Sequence, residues 1–161
     1  MRNRQKGFSL IELLIVVAII LIIAAIAIPN LLRSKMAANE ASAVGSLRSI
    51  NTACVTYSTT YGTGYPAAMS NLGPAATASA AAADLIDSVL ANATAATTPK
   101  SGYWFTYATP GAAGGTINQY TIVAEPANRG TTGQRGFFTD QSGVIRANPT
   151  GAATVASTPI G

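Results

Sequence analysis

The feature that most constrains this chain is an uninterrupted apolar segment close to its N-terminus. Leu13 to Ile28 are sixteen consecutive Leu, Ile, Val and Ala residues, and Pro29 follows them. Counted from Phe8, the segment has 21 residues, and a helix of that length is about 31 Å long at about 1.5 Å per residue. The hydrocarbon core of a bilayer is about 30 Å thick. Because no polar stripe interrupts the segment, the sequence predicts a helix that faces lipid or other apolar helices.

Most of the positive charge of the chain lies in front of this segment. Arg2, Arg4 and Lys6 supply most of the formal net charge of +4, because the residues after Gly7 carry seven basic and six acidic side chains. This asymmetry predicts a cytoplasmic N-terminus, with the rest of the chain beyond the membrane. A cleaved secretory signal would have a shorter apolar core with a small-residue cleavage site after it. A plain single-pass anchor fits the length but leaves the Glu12 carboxylate, which is costly within a membrane span, without a role.

The composition excludes several classes of site. The chain has no histidine and one cysteine, Cys54. Ser-His-Asp and Cys-His catalytic arrangements and zinc sites with imidazole ligands are therefore impossible. An internal disulfide is impossible for the same reason. We predict that the chain is not an enzyme and uses no cofactor.

The junction between the basic leader and the apolar segment reads Lys6-Gly7-Phe8-Ser9-Leu10-Ile11-Glu12-Leu13. It resembles the class III leader junction of type IV pilins and pseudopilins. The resemblance implies cleavage between Gly7 and Phe8 by the prepilin peptidase, followed by methylation of the new Phe8 amine. It also implies that Glu12 pairs with the Phe8 amine of a neighbouring subunit and fixes the register of assembly; the alternative is a Glu12 that only reaches the lipid headgroups. Pro29 stands where many members of the family carry a helix-perturbing proline, so we expect a kink there, with a helix end as the alternative.

Beyond Pro29 the apolar residues are spaced by three and four, which predicts an amphipathic helix that ends near residue 61, before Gly62 and Gly64. We expect Cys54 to be a small buried residue on this apolar face, with a redox or interchain disulfide role as the alternative. The apolar face consists of Ala43, Leu47, Ile50, Cys54, Tyr57 and Tyr61. The charged residues Arg33, Lys35, Glu40 and Arg48 are assigned to the remainder of the helix surface.

The rest of the chain predicts a smaller helix and a sheet. The apolar spacing favours a short helix near residues 80–91. From about residue 102 to 156, short β-prone segments separated by turn residues predict three or four antiparallel strands, with a tight turn at Asp140–Gly143. The fold class is therefore α+β and pilin-like, a long helix packed on an antiparallel sheet. The predicted organisation is a cleaved leader at 1–7, a transmembrane and filament-core helix at 8–29 and a globular domain at 30–161.

The resemblance implies a structural subunit of a type IV pilus or a pilus-like filament. Its implied partners are identical subunits, the prepilin peptidase and methyltransferase, an inner-membrane assembly platform with its ATPase, and membrane lipid before assembly. Its implied location is the inner membrane as a single-pass protein, and then a periplasmic or extracellular filament. Two alternatives stay open: a pseudopilin of a type II secretion system and, from another class, a membrane-anchored binding module.

Two weaker hypotheses concern ligands. Some pseudopilins bind calcium near the C-terminus, and the carboxylates available here are Glu125 and Asp140, so we expect no metal. DNA is not an expected partner either, because the cations available for it are few and spread along the chain. These cations are Lys100, Arg129, Arg135 and Arg146.

Overall fold

The computed structural model describes residues 8–112 and 115–160, and the predicted leader, including Gly7, lies outside the described residues. The chain divides into two compact units between Lys35 and Met36. A single helix, α1 (Leu10–Tyr61), runs through both. In the first unit the side chains of residues 8–35 are exposed, apart from a half-buried Ala24. This part of α1 is long and apolar enough to cross a membrane.

The second unit contains the rest of α1 and all the smaller elements. A 3₁₀ helix (Met69–Leu72) and the short helix α2 (Ser88–Asn92) precede the sheet. The strands are β1 (Tyr103–Ala108), β2 (Thr121–Pro126), β3 (Gly136–Asp140), β4 (Arg146–Asn148) and β5 (Thr158–Pro159).

The five strands form one sheet in the order β1-β2-β3-β4-β5, and every neighbouring pair is antiparallel. This confirms the predicted α+β fold of a long helix on an antiparallel sheet, with one strand more than the three or four expected. The additional strand is β5. It has only two residues, one of them a proline, so its sequence shows no alternation of apolar and polar residues that would predict a strand. Strand β4 begins at Arg146, and Gly143, with a φ of +74°, belongs to the predicted turn at Asp140–Gly143.

The core lies between α1 and one face of the sheet. Phe105, Ala124, Phe137 and Ala147 are aligned across four adjacent strands on that face. The first three are fully buried, and Ala147 packs against the same cluster. On the helix side, the predicted stripe from Ala43 to Tyr57 is buried as expected, and Tyr61 is partly buried. Alternating strand residues and helical residues at three- and four-residue spacing thus meet in one apolar layer.

The short helix predicted near 80–91 is wrong over most of its length, because α2 begins only at Ser88. Before it, the backbone N–H groups of residues 83–86 donate to carbonyls of residues 71–73 of the 3₁₀ segment. Asp84 also has a φ of +55°, which a right-handed helix cannot contain. Asp87 then starts α2 as its N-cap, with its side chain accepting from the N–H of Leu90 at 2.9 Å.

The thiol of Cys54 is fully buried against the sheet. Burial raises the pKa of Cys54 to about 12, although a hydrogen bond with Tyr107 acts in the opposite direction. Since the thiolate is the reactive form, we expect native protein to react with a thiol reagent very slowly and denatured protein to react readily. We expect Cys54→Ser to lower the free energy of unfolding by about 1–2 kcal/mol, because it places a hydroxyl in an apolar layer.

Thiol labelling monitored by intact mass tests this placement. The matched control is Val55→Cys in a Cys54→Ser background, because Val55 is the next residue on the helix and is 52% exposed. Its thiol should react quickly in native protein. Equal native rates for the two cysteines would contradict the assignment of Cys54 to the core.

Candidate functional site: the N-terminal helix and the charged residues of the domain

Glu12 lies in the first turn of α1 and is bound to the start of its own helix. Its Oε2 accepts a hydrogen bond from the backbone N–H of Ser9 at 2.9 Å. The carbonyl of Ser9 in turn accepts from the N–H of Leu13 at 3.3 Å, as expected for a residue at the N-cap. Ser9 and Glu12 are three residues apart, the spacing of a capping box, and that signal was available in the sequence. Glu12 therefore caps its own helix, a contact that the sequence analysis did not predict beside the pairing with a neighbouring subunit.

Phe8, the predicted first residue of the mature chain, is 84% exposed. The large apolar side chains that follow it are also exposed, on every side of α1, as far as Leu32. A helix surface of this kind is unfavourable in water over its whole circumference, so lipid or other apolar helices must cover it. Within the described residues nothing packs on this segment, because none of the most apolar stretch of the helix is buried.

The helix continues through Pro29, so the alternative of a helix end at this residue is wrong. Proline has no amide hydrogen, and the carbonyl of Ala25 therefore loses its usual partner. One residue further on, the side-chain amide of Asn30 donates to the carbonyl of Ile26 at 3.1 Å. A kink at Pro29 stays a prediction.

The assignment of Glu40 to the exposed part of the helix surface is wrong. Glu40 is buried, and it precedes Ala43 on the apolar face by one turn. Its Oε1 accepts from the backbone N–H groups of Gln134 and Arg135 at 2.9 and 3.0 Å, and its Oε2 accepts from Nε of Arg135 at 2.8 Å. Burial by itself would raise the pKa of Glu40, but these two amides and the guanidinium outweigh it, and the pKa lies below its usual value.

The neighbours of Glu40 hold the loop between β2 and β3 against α1. Asn39 donates from its side-chain amide to the carbonyl of Thr132 at 2.8 Å. The hydroxyl of Tyr103 donates to the carbonyl of Arg135 at 2.8 Å, and the Arg135 guanidinium lies 5.3 Å from the centre of the Phe137 ring. A buried charge is tolerated only with partners of this number and kind. No pattern in the sequence connects residues 39–40 with residues 132–135.

The four cations considered for DNA binding do not form a free basic patch. Three of them are in ion pairs within the domain, and Arg146 donates to the carbonyl of Ser157 at 3.2 Å. The pairs are Lys100–Asp87 at 2.7 Å, Arg129–Glu125 at 3.5 Å and Arg135–Glu40 at 2.8 Å.

The two carboxylates considered for calcium lie far apart. Asp140 is opposite Thr121 in the sheet, four residues along β2 from Glu125, which is about 13 Å at 3.3–3.4 Å per residue. Glu125 pairs with Arg129, and Asp140 accepts from the N–H of Ser142 in the turn. One ion cannot bind to both carboxylates, so these candidates are wrong as a joint site. Residues 8–112 and 115–160 hold no cluster of three or more Asp, Glu, Cys or His side chains suited to a metal.

Part of the chain matches known proteins. Residues 2–28 match the family model of the prokaryotic N-terminal methylation motif. The type IV wide pilus major component PilA4 of Thermus thermophilus is 65% identical over 40 residues, 25% of this chain and 30% of that protein. The type IV major pilin protein PilA of Myxococcus xanthus is 50% identical over 50 residues, 31% of this chain and 23% of that protein. The type IV major fimbrial protein FimA of Dichelobacter nodosus is 48% identical over 58 residues, 34% of this chain and 37% of that protein.

An apolar N-terminal helix that carries a methylation motif and packs on an antiparallel sheet defines a pilin-like protein. In the matched stretches the chain is similar to type IV pilins. The matches span between 23% and 37% of the length of the relatives. Most of this chain and most of each relative therefore lie outside the matched stretches.

Proposed function

We propose that this chain is the precursor of a structural subunit of a type IV pilus, and that it catalyses no reaction. The observation that carries the proposal is an apolar helix, exposed on all sides, that lies within a methylation motif. Copies of the same helix can cover that surface in a bundle and so replace lipid as its surroundings. The three relatives named above are structural pilus or fimbrial proteins, which favours a pilus subunit over the pseudopilin of a type II secretion system.

Before assembly the subunit is a single-pass protein of the inner membrane with its basic leader in the cytoplasm. The prepilin peptidase cleaves between Gly7 and Phe8 and methylates the Phe8 amine. Extraction of the helix from lipid into the filament exchanges one apolar environment for another, so an assembly platform and its ATPase supply the work. The filament then lies outside the inner membrane.

Glu12 sets the register of the bundle in this proposal. Its Oε2 is bonded to Ser9 of its own chain, and a carboxylate has acceptor sites for further partners. The second partner is the Phe8 amine of a neighbouring subunit. A charge pair that must be matched in an apolar core favours one axial offset between helices over all others.

Electron microscopy and mass spectrometry of sheared surface filaments test the proposal. The expected subunit begins at Phe8, lacks residues 1–7 and carries one methyl group. Filaments whose subunits keep Arg2 would contradict the processing step. Cells that express the processed chain and a complete assembly system but form no filament would contradict the pilus function itself.

Cleavage should depend on the absence of a side chain at Gly7. We expect Gly7→Leu to leave the full-length precursor in the membrane, because a branched side chain obstructs the extended backbone that a protease cleft must accept. The matched control is Gln5→Leu, which adds the same side chain two residues earlier and should be processed normally. Immunoblotting of membrane fractions separates precursor from mature chain. Normal maturation of Gly7→Leu would place the cleavage elsewhere.

A further inference from the structure

The charged side chains of the domain divide into two groups. Six of the ten charged residues between Met36 and Ile160 form the three ion pairs given above. The other four have no ion-pair partner among the described residues. They are Arg48, Asp84, Asp140 and Arg146.

Two of these unpaired charges flank an exposed apolar surface beside α1. Arg48 and Leu85 line one groove against the helix, and Asp84 is adjacent to Leu85 in the chain. Leu85 is 36% exposed and Val89, four residues further along the chain, is 58% exposed. These four residues are called the helix-side face.

The other two unpaired charges flank an apolar surface on the side of the sheet that faces away from α1. Val123, Phe138, Asp140 and Val155 line a groove of about 390 Å³, and Val155 is 61% exposed. Arg146 is opposite Phe138 in the sheet and therefore lies on the same side. These five residues are called the outer-sheet face.

We infer that the helix-side face of one subunit binds the outer-sheet face of another copy in the filament. This inference rests on the proposed function, which supplies the second copy. The helix-side face presents the exposed cation Arg48 and the outer-sheet face presents the anion Asp140, each beside exposed apolar side chains, so Arg48 of one copy pairs with Asp140 of the next. Apolar contact surrounded by opposite charges is typical of specific protein interfaces.

The two faces are different surfaces of the same domain, so the contact is heterologous. A heterologous contact that does not close into a ring extends into an open helical assembly, which is the symmetry of a filament. A small contact area is sufficient here, because in the proposed filament the apolar helices already hold the subunits together. The contact between domains then fixes the rotation that relates one subunit to the next along the filament.

Charge reversal tests the pairing of Arg48 with Asp140. We expect Arg48→Glu and Asp140→Arg each to lower the yield of sheared filaments about 10-fold, because each brings like charges together at the contact. The double variant restores the opposite-charge pair in every contact of a homopolymer and should recover most of the yield. Arg48→Lys keeps the charge and should assemble normally. Single variants that assemble like the unmodified chain, or a folded and processed double variant that does not recover, would overturn the inference.

A disulfide between subunits tests the same contact without changing its charges. Cys54 is buried and does not interfere. Filaments of the double variant Val89→Cys/Val155→Cys, oxidised mildly, should give a ladder of multimers on a non-reducing gel, whereas each single variant should give none beyond the dimer. Abundant filaments without a ladder would overturn this inference and leave the proposed function intact. If the unmodified chain forms no filaments at all, the proposed function fails first.

Discussion

A strain whose only copy of the protein carries Glu12→Ala should accumulate processed monomer in the inner membrane and lose most of its surface filaments. The substitution leaves the Phe8 amine of a neighbouring subunit without its partner in an apolar core. Breaking a buried charge pair by removing one member costs about 3–5 kcal/mol, which corresponds to a loss of more than 100-fold in an association constant. Immunoblots of sheared and membrane fractions measure the two pools.

Two controls separate assembly from folding and charge from capping. The core of the domain begins at Glu40, far along α1 from Glu12, so the melting temperature of the domain should not change in Glu12→Ala. Glu12→Gln keeps a side-chain oxygen that can accept from the Ser9 N–H but has no charge, and it should lose filaments as well. Normal filament yield in Glu12→Gln would mean that capping, and not the charge, is what Glu12 contributes.

The long helix and the face that it buries could be predicted because both are local properties of the sequence. Apolar residues at three- and four-residue spacing from Ala43 to Tyr57 specify one helix face, whatever covers it. Cys54 was predicted to be buried on the same basis, and the structure confirms it. The methylation motif is also local, and the family match covers residues 2–28.

What the sequence could not predict depends on partners that are distant in the chain. A carboxylate at Glu40 is typical of a solvated helix surface, and only the amides of Gln134 and Arg135 make its burial favourable. Residues 80–87 have helical spacing, but the N–H groups of residues 83–86 donate to carbonyls of residues 71–73 instead of forming a helix. In both cases a long-range hydrogen-bond partner outweighs the local pattern.

The contact of Glu40 with the loop between β2 and β3 should contribute more to stability than any other ion pair in the described domain. We expect Glu40→Ala to lower the free energy of unfolding by about 2–4 kcal/mol, because two backbone N–H groups lose their acceptor and Arg135 loses its partner. The matched control is Glu125→Ala, which breaks the Arg129 pair on the same loop. That pair spans 3.5 Å, and its side chains are 30% and 29% exposed, so its loss should cost at most about 1 kcal/mol.

The pH dependence of unfolding gives Glu40 a second, independent signature. Because its pKa is lower in the folded protein than the ordinary value of 4.5, the unfolded chain binds the proton more readily, and the contribution of Glu40 is complete above that pH. It is lost as the pH falls through the lowered folded-state pKa. The difference in melting temperature between the unmodified protein and Glu40→Ala should therefore be constant at neutral pH and narrow below about pH 4.5. Chemical or thermal unfolding at pH 7 and pH 3 measures it. A difference that stays the same at both pH values, or a Glu40→Ala variant no less stable than Glu125→Ala, would mean that the carboxylate charge does not hold the loop.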